Sequence, residues 1–211
     1  MIRAACLALV LAATPALAQD YKPEDVPQGR PDYHLSKAGD YRLDPMHTAV
    51  IARVLHLGFS YSVFRFGDVS GSLVWNPEDP AQNKLTAEVQ VSSISTPVPD
   101  FAPVLLGKDY LNAAANPVAR FVSDSFTVQS DSKGEVQGQL TLMGQTHPAS
   151  FEVELIGAGQ GFTGENGQPV IRDLLGVHAE TQIDPQAYGM NGFFTAPIPI
   201  VIDAEFARTA P

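Results

Sequence analysis

The chain has 211 residues, 45% of them hydrophobic and 17% charged, which suits one globular domain and excludes a disordered polypeptide. Its formal net charge of −10 repels phosphate backbones and anionic headgroups, which sets aside nucleic-acid binding and electrostatic docking to anionic lipid. Seventeen glycines and seventeen prolines are many breaks for one domain, and they favour many short strands over a few long helices.

Met1-Ile2-Arg3 gives a short positive start, and Ala4 to Ala13 is apolar and uncharged. Thr14 and Pro15 break that run, and Ala16-Leu17-Ala18 forms an A-x-A site before Gln19. Residues 1–18 are therefore expected to be a secretory signal peptide, too short to be a membrane span. Cys6, the chain's one cysteine, leaves with it, so no disulfide or thiolate chemistry is expected afterwards. The mature protein is expected to be soluble and periplasmic or secreted. Residues 19–39 are polar, with Pro23, Pro27 and Pro31, and read as a partly disordered tail or linker. A barrel domain is expected over 40–211.

From Asp40 onward the hydrophobic period is two. Val50, Ala52 and Val54 share a face. Leu85, Ala87, Val89 and Val91 alternate with polar residues, as do Val136, Gly138, Leu140 and Leu142. Phe151, Val153 and Leu155 repeat the pattern, followed by Val177, Ala179, Thr181 and Ile183, and by Ile198, Ile200, Ile202, Ala204 and Phe206. One dry and one wet face per strand predicts an antiparallel sheet. Breaks are expected at Asn76-Pro77-Glu78-Asp79-Pro80, at a tight hairpin over Asp131-Ser132-Lys133-Gly134, and at Thr146-His147-Pro148. Gly157 to Pro169 holds five glycines and reads as a flexible loop. About eight strands result, and a sheet of that size tends to curl and close. One short helix is expected with Asp100 as its cap and Pro103 in its first turn, then a further turn or two over Asp109 to Ala115, stopped at Asn116-Pro117. Pro185 to Tyr188 is another candidate turn. The fold class is all-β: a closed antiparallel barrel with one or two short helices.

The order of several short motifs carries a resemblance. Tyr41-Arg42-Leu43-Asp44-Pro45-x-His47-Thr48 opens it, followed by Val50 to Gly58 and Phe66 to Gly71. Next come Ser92-Ser93-Ile94-Ser95-Thr96, Asp109-Tyr110-Leu111-Asn112 to Pro117, and Gly138 to Pro148. From about Tyr41 to Phe206 the chain resembles the YceI-like, polyisoprenoid-binding proteins. The resemblance implies an exported lipocalin-like barrel whose cavity holds an isoprenoid chain, as of a polyprenyl compound or quinone, and it implies no catalytic residues. Ala52 stands where that family carries an aromatic residue. Phe101-Ala102-Pro103-Val104-Leu105 replaces a polar stretch, which disfavours pyrophosphate recognition and favours a neutral or purely apolar ligand.

Candidate ligand-binding residues are Val50, Val54, Leu57, Phe59, Phe66, Leu85, Val89, Phe101, Leu105, Leu106, Tyr110, Leu111, Phe121, Leu140 and Leu142, with the Phe101 to Leu111 segment as a gate. Residues 101–106 are otherwise a sticky surface for a membrane redox or envelope partner, the alternative role without catalysis. The five histidines, His34, His47, His56, His147 and His178, show no metal-ligand spacing, so no metal is expected. No G-x-S-x-G and no phosphate-binding loop occurs, and neither an enzymatic role nor a cofactor beyond a bound lipid is expected. Oligomeric state stays open, with a dimer admitted.

Overall fold

Eighteen consecutive residues, Gly39–His56, form the first wall strand, β1, which touches three neighbours in turn. The structure, a computed structural model, describes residues 26–165 and 168–209. The expected signal peptide, 1–18, lies outside the described residues. The strands that follow are β2 (Ser60–Phe66), β3 (Val69–Trp75), β4 (Lys84–Gln90), β5 (Ile94–Ser95), β6 (Val118–Val128), β7 (Lys133–Leu142), β8 (Gln145–Glu165), β9 (Gln168–Ile183) and β10 (Ile198–Arg208). Pairing runs β1-β3-β4-β6-β7-β8-β9-β10 and back to β1, every ladder antiparallel, so eight strands close a barrel. Closure leaves no free edge in the ring. β2 lies beside the second half of β1, and its outer edge meets only β5, at Arg65 and Phe66.

The Asp44-Pro45-Met46-His47-Thr48 stretch is a bulge. Asp44 pairs with Glu205 and Ala49 with Asp203, so β1 carries extra residues there. Asp44 Oδ1 accepts the Met46 N–H, and the Thr48 hydroxyl donates to the Asp44 carbonyl, which ties off the bulge internally. After it, Val50, Ala52 and Val54 face the interior, Val50 and Ala52 in step with Ile202 and Ile200 of β10.

Four local expectations are corrected. The glycine-rich stretch after Gly157 is not a loop: Gly157 to Glu165 continues β8 and pairs with β9 as far as Gln168. Two of its glycines serve packing. A Cβ on Gly157 would lie 3.1 Å from Gly29 Cα, and one on Gly161 would press on Leu174. The break expected at Thr146-His147-Pro148 falls instead at Met143-Gly144, both with positive φ, and those three residues belong to β8. Asp100 does not cap the helix α1 (Ala102–Leu105); Phe101 holds the cap position without a side-chain bond, and Asp100 itself is left-handed. Residues 26–38, read as linker, pack on the barrel. Arg30 bridges Ala158 through two backbone hydrogen bonds, and Tyr33 and Leu35 cover the core around Tyr41 and Phe206. Trp75 Nε1–H donates to Ser36 Oγ at 2.7 Å, and Tyr41 OH to the Lys37 carbonyl at 2.7 Å.

One end of the barrel, the base, is thereby partly covered by residues 26–38, and the β6–β7 hairpin beside them also borders the interior. The other end, the mouth, is ringed by 57–59, 91–117, 143–144 and 184–197, of which Phe101, Leu105, Tyr110, Leu111, Met190, Phe193 and Phe194 border the interior.

Candidate binding cavity

Alternate residues of the wall strands turn inward and do not fill the barrel. They enclose a cavity of about 480 Å³, within the range of roughly 300–1,000 Å³ usual for small-molecule sites. Phe121 and Phe151 pack edge to face, ring centroids 4.9 Å apart, on one wall, and Gly138 makes room for Phe121. At the base, Asn83 Oδ1 accepts the Asn76 N–H, while the buried Asn83 Nδ2 has no hydrogen-bond partner among the described residues. Towards the mouth, Phe64, Ile94 and Leu105 form one apolar cluster and Ile183, Tyr188 and Ile198 another, with Ala52 and Val54 touching both.

Twelve of the sequence candidates border this cavity: Val50, Val54, Phe66, Leu85, Val89, Phe101, Leu105, Tyr110, Leu111, Phe121, Leu140 and Leu142. Three do not. Leu57 and Phe59 sit on the β1–β2 turn, where the Phe59 N–H donates to the His56 carbonyl and both Leu57 and Gly58 have positive φ. Both side chains turn outward, and Phe59 is 89% exposed. Leu106 packs behind Leu105 on the Phe64 cluster, outside the cavity wall. The candidate list omitted Ala52, Ile183, Ile198, Ile200, Ile202, Met190, Phe193 and Phe194, all of which line the cavity. For β10 the signal was present in its unbroken alternation. For Met190 to Phe194 no periodicity exists to read.

Outside the wall, Asp44, His47 and Glu205 form a cluster whose potential ligand atoms lie within 4.8 Å of one another. His47 Nδ1 is 3.0 Å from Asp44 Oδ2, which also accepts from Thr163 Oγ1, and 3.8 Å from Glu205 Oε1. The Asp44 hydrogen bond raises the His47 pKa, with burial opposing it. Burial pushes Asp44 upward, but hydrogen bonds from His47, the Met46 N–H and Thr163 outweigh it and hold the carboxyl below its usual value. Burial raises Glu205. These three are the residues that would offer a divalent ion its ligands, yet the ion would have to displace a proton that both carboxylates favour. Nearby on the same outer face, His178 of β9 lies between Asp203 at 2.8 Å and Glu180 at 3.2 Å, and the Asp203 bond raises its pKa first, the Glu180 bond second.

Comparison with known proteins matches residues 41–206 to the YceI-like domain. A UPF0312 protein of Pseudomonas aeruginosa is 33% identical over 124 residues, covering 58% of this chain and 64% of that protein. Protein YceI of Escherichia coli O157:H7 is 34% identical over 124 residues, with the same coverage of 58% and 64%. The matched region thus spans less than two thirds of these relatives' length. Among solved structures, Burkholderia cenocepacia BcnA superposes with a TM-score of 0.63 at 20% identity, covering 79% of this chain and 99% of that one. A polyisoprenoid binding domain from Saccharophagus degradans, implicated in plant cell wall breakdown, gives 0.59 at 10% identity, covering 82% and 100%. These likenesses support the fold, a lipocalin-like antiparallel barrel. With its motifs in order from Tyr41 to Phe206 and a family match over the same span, the chain belongs to the YceI-like family.

Proposed function

We infer that this chain is an exported binder or carrier of an apolar isoprenoid-type lipid, such as a polyprenyl compound or the tail of a quinone, held in the barrel. The observation that carries this reading is the hollow of about 480 Å³ walled by aliphatic and aromatic side chains. Membership of the YceI-like family, and a fold shared with a polyisoprenoid binding domain, support the same ligand class. Ten methylene-sized groups taken out of water contribute roughly 8 kcal/mol gross, at about 0.8 each. Ordering the chain and immobilising the ligand subtract several kcal/mol. Affinity of this origin discriminates by length and girth, and only weakly by head group.

Two residues shape the expected ligand. Ala52 faces inward where a larger residue would narrow the cavity, so the site suits a branched, broad tail rather than a thin one. Asn83 Nδ2 lies enclosed at the base without a hydrogen-bond partner among the described residues, and a neutral hydroxyl or carbonyl oxygen would pair with it after a small shift of the side chains around it. The apolar Phe101 to Leu105 stretch at the mouth offers a charged head group nothing to pair with. Export follows from the Ala16-Leu17-Ala18 site, with the mature chain starting near Gln19.

The test is lipid extraction and mass spectrometry of the protein purified from the exported fraction, with its N-terminus sequenced. An isoprenoid species in near-stoichiometric amount is expected. A barrel that is reproducibly empty, and that also fails to take up the fluorescent hydrophobe N-phenyl-1-naphthylamine, rules the carrier reading out.

A further inference from the structure

The β1–β2 hairpin combines three features that the cavity does not require. Its tip presents Leu57 and Phe59 to solvent at 63% and 89% exposure. Behind the tip, on the outer face, Leu55, Tyr61 and Val63 are exposed as well. Among the described residues the outer edge of β2 from Ser60 to Phe64 pairs with no strand, so the hairpin stands clear of the ring. Leu57 is also held at φ 52, a conformation unfavourable for leucine, in a place where its side chain gains no burial.

The charge on this hairpin is opposite to that of the molecule. From Ala49 to Gly67 it carries Arg53, Arg65 and His56 and no carboxylate, in a chain of net charge −10. Among the described residues neither arginine has a carboxylate within ion-pair distance. Arg53 lies over the Tyr61 ring at 5.1 Å, and Arg65 reaches the Thr48 carbonyl. Arg53 is four residues behind Leu57, roughly 13 Å along an extended strand. An apolar tip backed by a Tyr–Arg belt at that depth matches the step from acyl chains to phosphates at a bilayer surface. The loops around the mouth agree. Residues 57–59, 91–117, 143–144 and 184–197 hold four charged side chains, Asp100, Lys108, Asp109 and Asp184. Lys108 lies 4.0 Å from Asp109, and Asp184 Oδ1 accepts the Gln186 N–H. Phe193, 70% exposed, adds a third large apolar group to this end.

We propose that the β1–β2 hairpin is a wedge that seats the mouth of the cavity on a phospholipid bilayer, Leu57 and Phe59 entering the acyl region and Arg53 meeting the phosphates. The proposal rests on the carrier reading, because a lipid tail leaving a bilayer for this cavity needs a path that avoids water. Insertion supplies most of the attraction, so zwitterionic lipid suffices despite the acidic remainder of the molecule.

The test is flotation of the full-length, exported and processed protein with dioleoylphosphatidylcholine vesicles, at low and at high salt. Wild type is expected to float at both. Leu57→Asp/Phe59→Asp should lower the vesicle-bound to free ratio by about tenfold or more, while thermal midpoint and N-phenyl-1-naphthylamine uptake stay unchanged. Ile156→Asp, an exposed apolar position towards the base, should float like wild type. Should the double variant misfold, Phe59→Asp alone carries the same test. Equal flotation of variant and wild type, no flotation of wild type, or flotation that needs anionic lipid and vanishes at high salt overturns the proposal. So does a wild-type dimer that the double variant dissociates, since the occupant of the patch is then a second copy of the chain. Flotation by a protein that takes up no hydrophobe supports the wedge and sinks the carrier reading; uptake without flotation does the reverse.

Discussion

Tyr110 and Phe194 meet edge to face across the mouth of the cavity, ring centroids 5.8 Å apart and planes 69° apart. Tyr110 follows α1 and Phe194 belongs to the loop between β9 and β10, so this contact joins two segments otherwise far apart in the chain. Phe193 in turn packs against Phe194 at 5.7 Å.

The contact acts as a closure on the hollow. Aromatic pairs of this geometry are worth about 0.5–1.5 kcal/mol beyond their burial. Tyr110→Ala and Phe194→Ala are each expected to speed release of N-phenyl-1-naphthylamine by roughly threefold to tenfold, with a non-additive double variant. Stopped-flow displacement measures it. Unchanged release rates in both single variants would show that the mouth closes elsewhere.

Ala52 sets the girth of the upper cavity. Ala52→Phe adds a ring where β1 faces Ile200 and borders both mouth clusters. Co-purifying lipid should fall several-fold, while stability is kept or increased because apolar volume fills an apolar space. Titration calorimetry and thermal unfolding separate the two effects, and undiminished lipid content would place the tail away from Ala52.

Gly138 faces inward between Val136 and Leu140, under the Phe121 ring and against the Val122 carbonyl. Gly138→Ala should displace both and destabilise by about 1–3 kcal/mol, as overpacking does. Urea unfolding with an unchanged slope is the measurement. A loss near zero would mean that β6 yields there without cost.

His178 makes stability pH-dependent. Its folded pKa is raised by Asp203 first and Glu180 next, and Glu154 faces it from β8. A raised histidine contributes stability that is fully present below its unfolded value and is lost as pH rises through the folded one. His47 behaves alike, through Asp44. Asp44 works in the other direction: its lowered pKa contributes above the unfolded value and is lost on acidification. The thermal midpoint should therefore peak at mildly acidic pH and decline across neutrality. Each histidine contributes below about 1 kcal/mol, because solvent screens both sites. His178→Gln should flatten the neutral limb and leave the acid limb in place; an unaltered neutral limb would assign that slope to other groups.

The strands of the barrel were legible because their signal is local. In β4, β7 and β10 every second residue is apolar, and that period alone says which residues face inward. Twelve of the fifteen candidate residues line the hollow for the same reason. Alternation admits a closed barrel or a two-sheet sandwich, and the β1–β10 ladder is what closes this one.

What the sequence left undecided depends on partners distant in the chain. Leu57 and Phe59 continue an apolar run on the outward parity of Arg53 and Leu55, and the left-handed turn at Leu57-Gly58 leaves them no neighbouring strand to pack on. The glycines from Gly157 onward look like a loop until Gly29 is seen against Gly157 and Leu174 against Gly161. Asp44 and His47 are neighbours in sequence, whereas Glu205 joins them only because β1 and β10 close the barrel. Periodicity is written residue by residue and survives in a string of letters; turn handedness, backbone approach and barrel closure arise from excluded volume between segments, which exists only once the chain has folded.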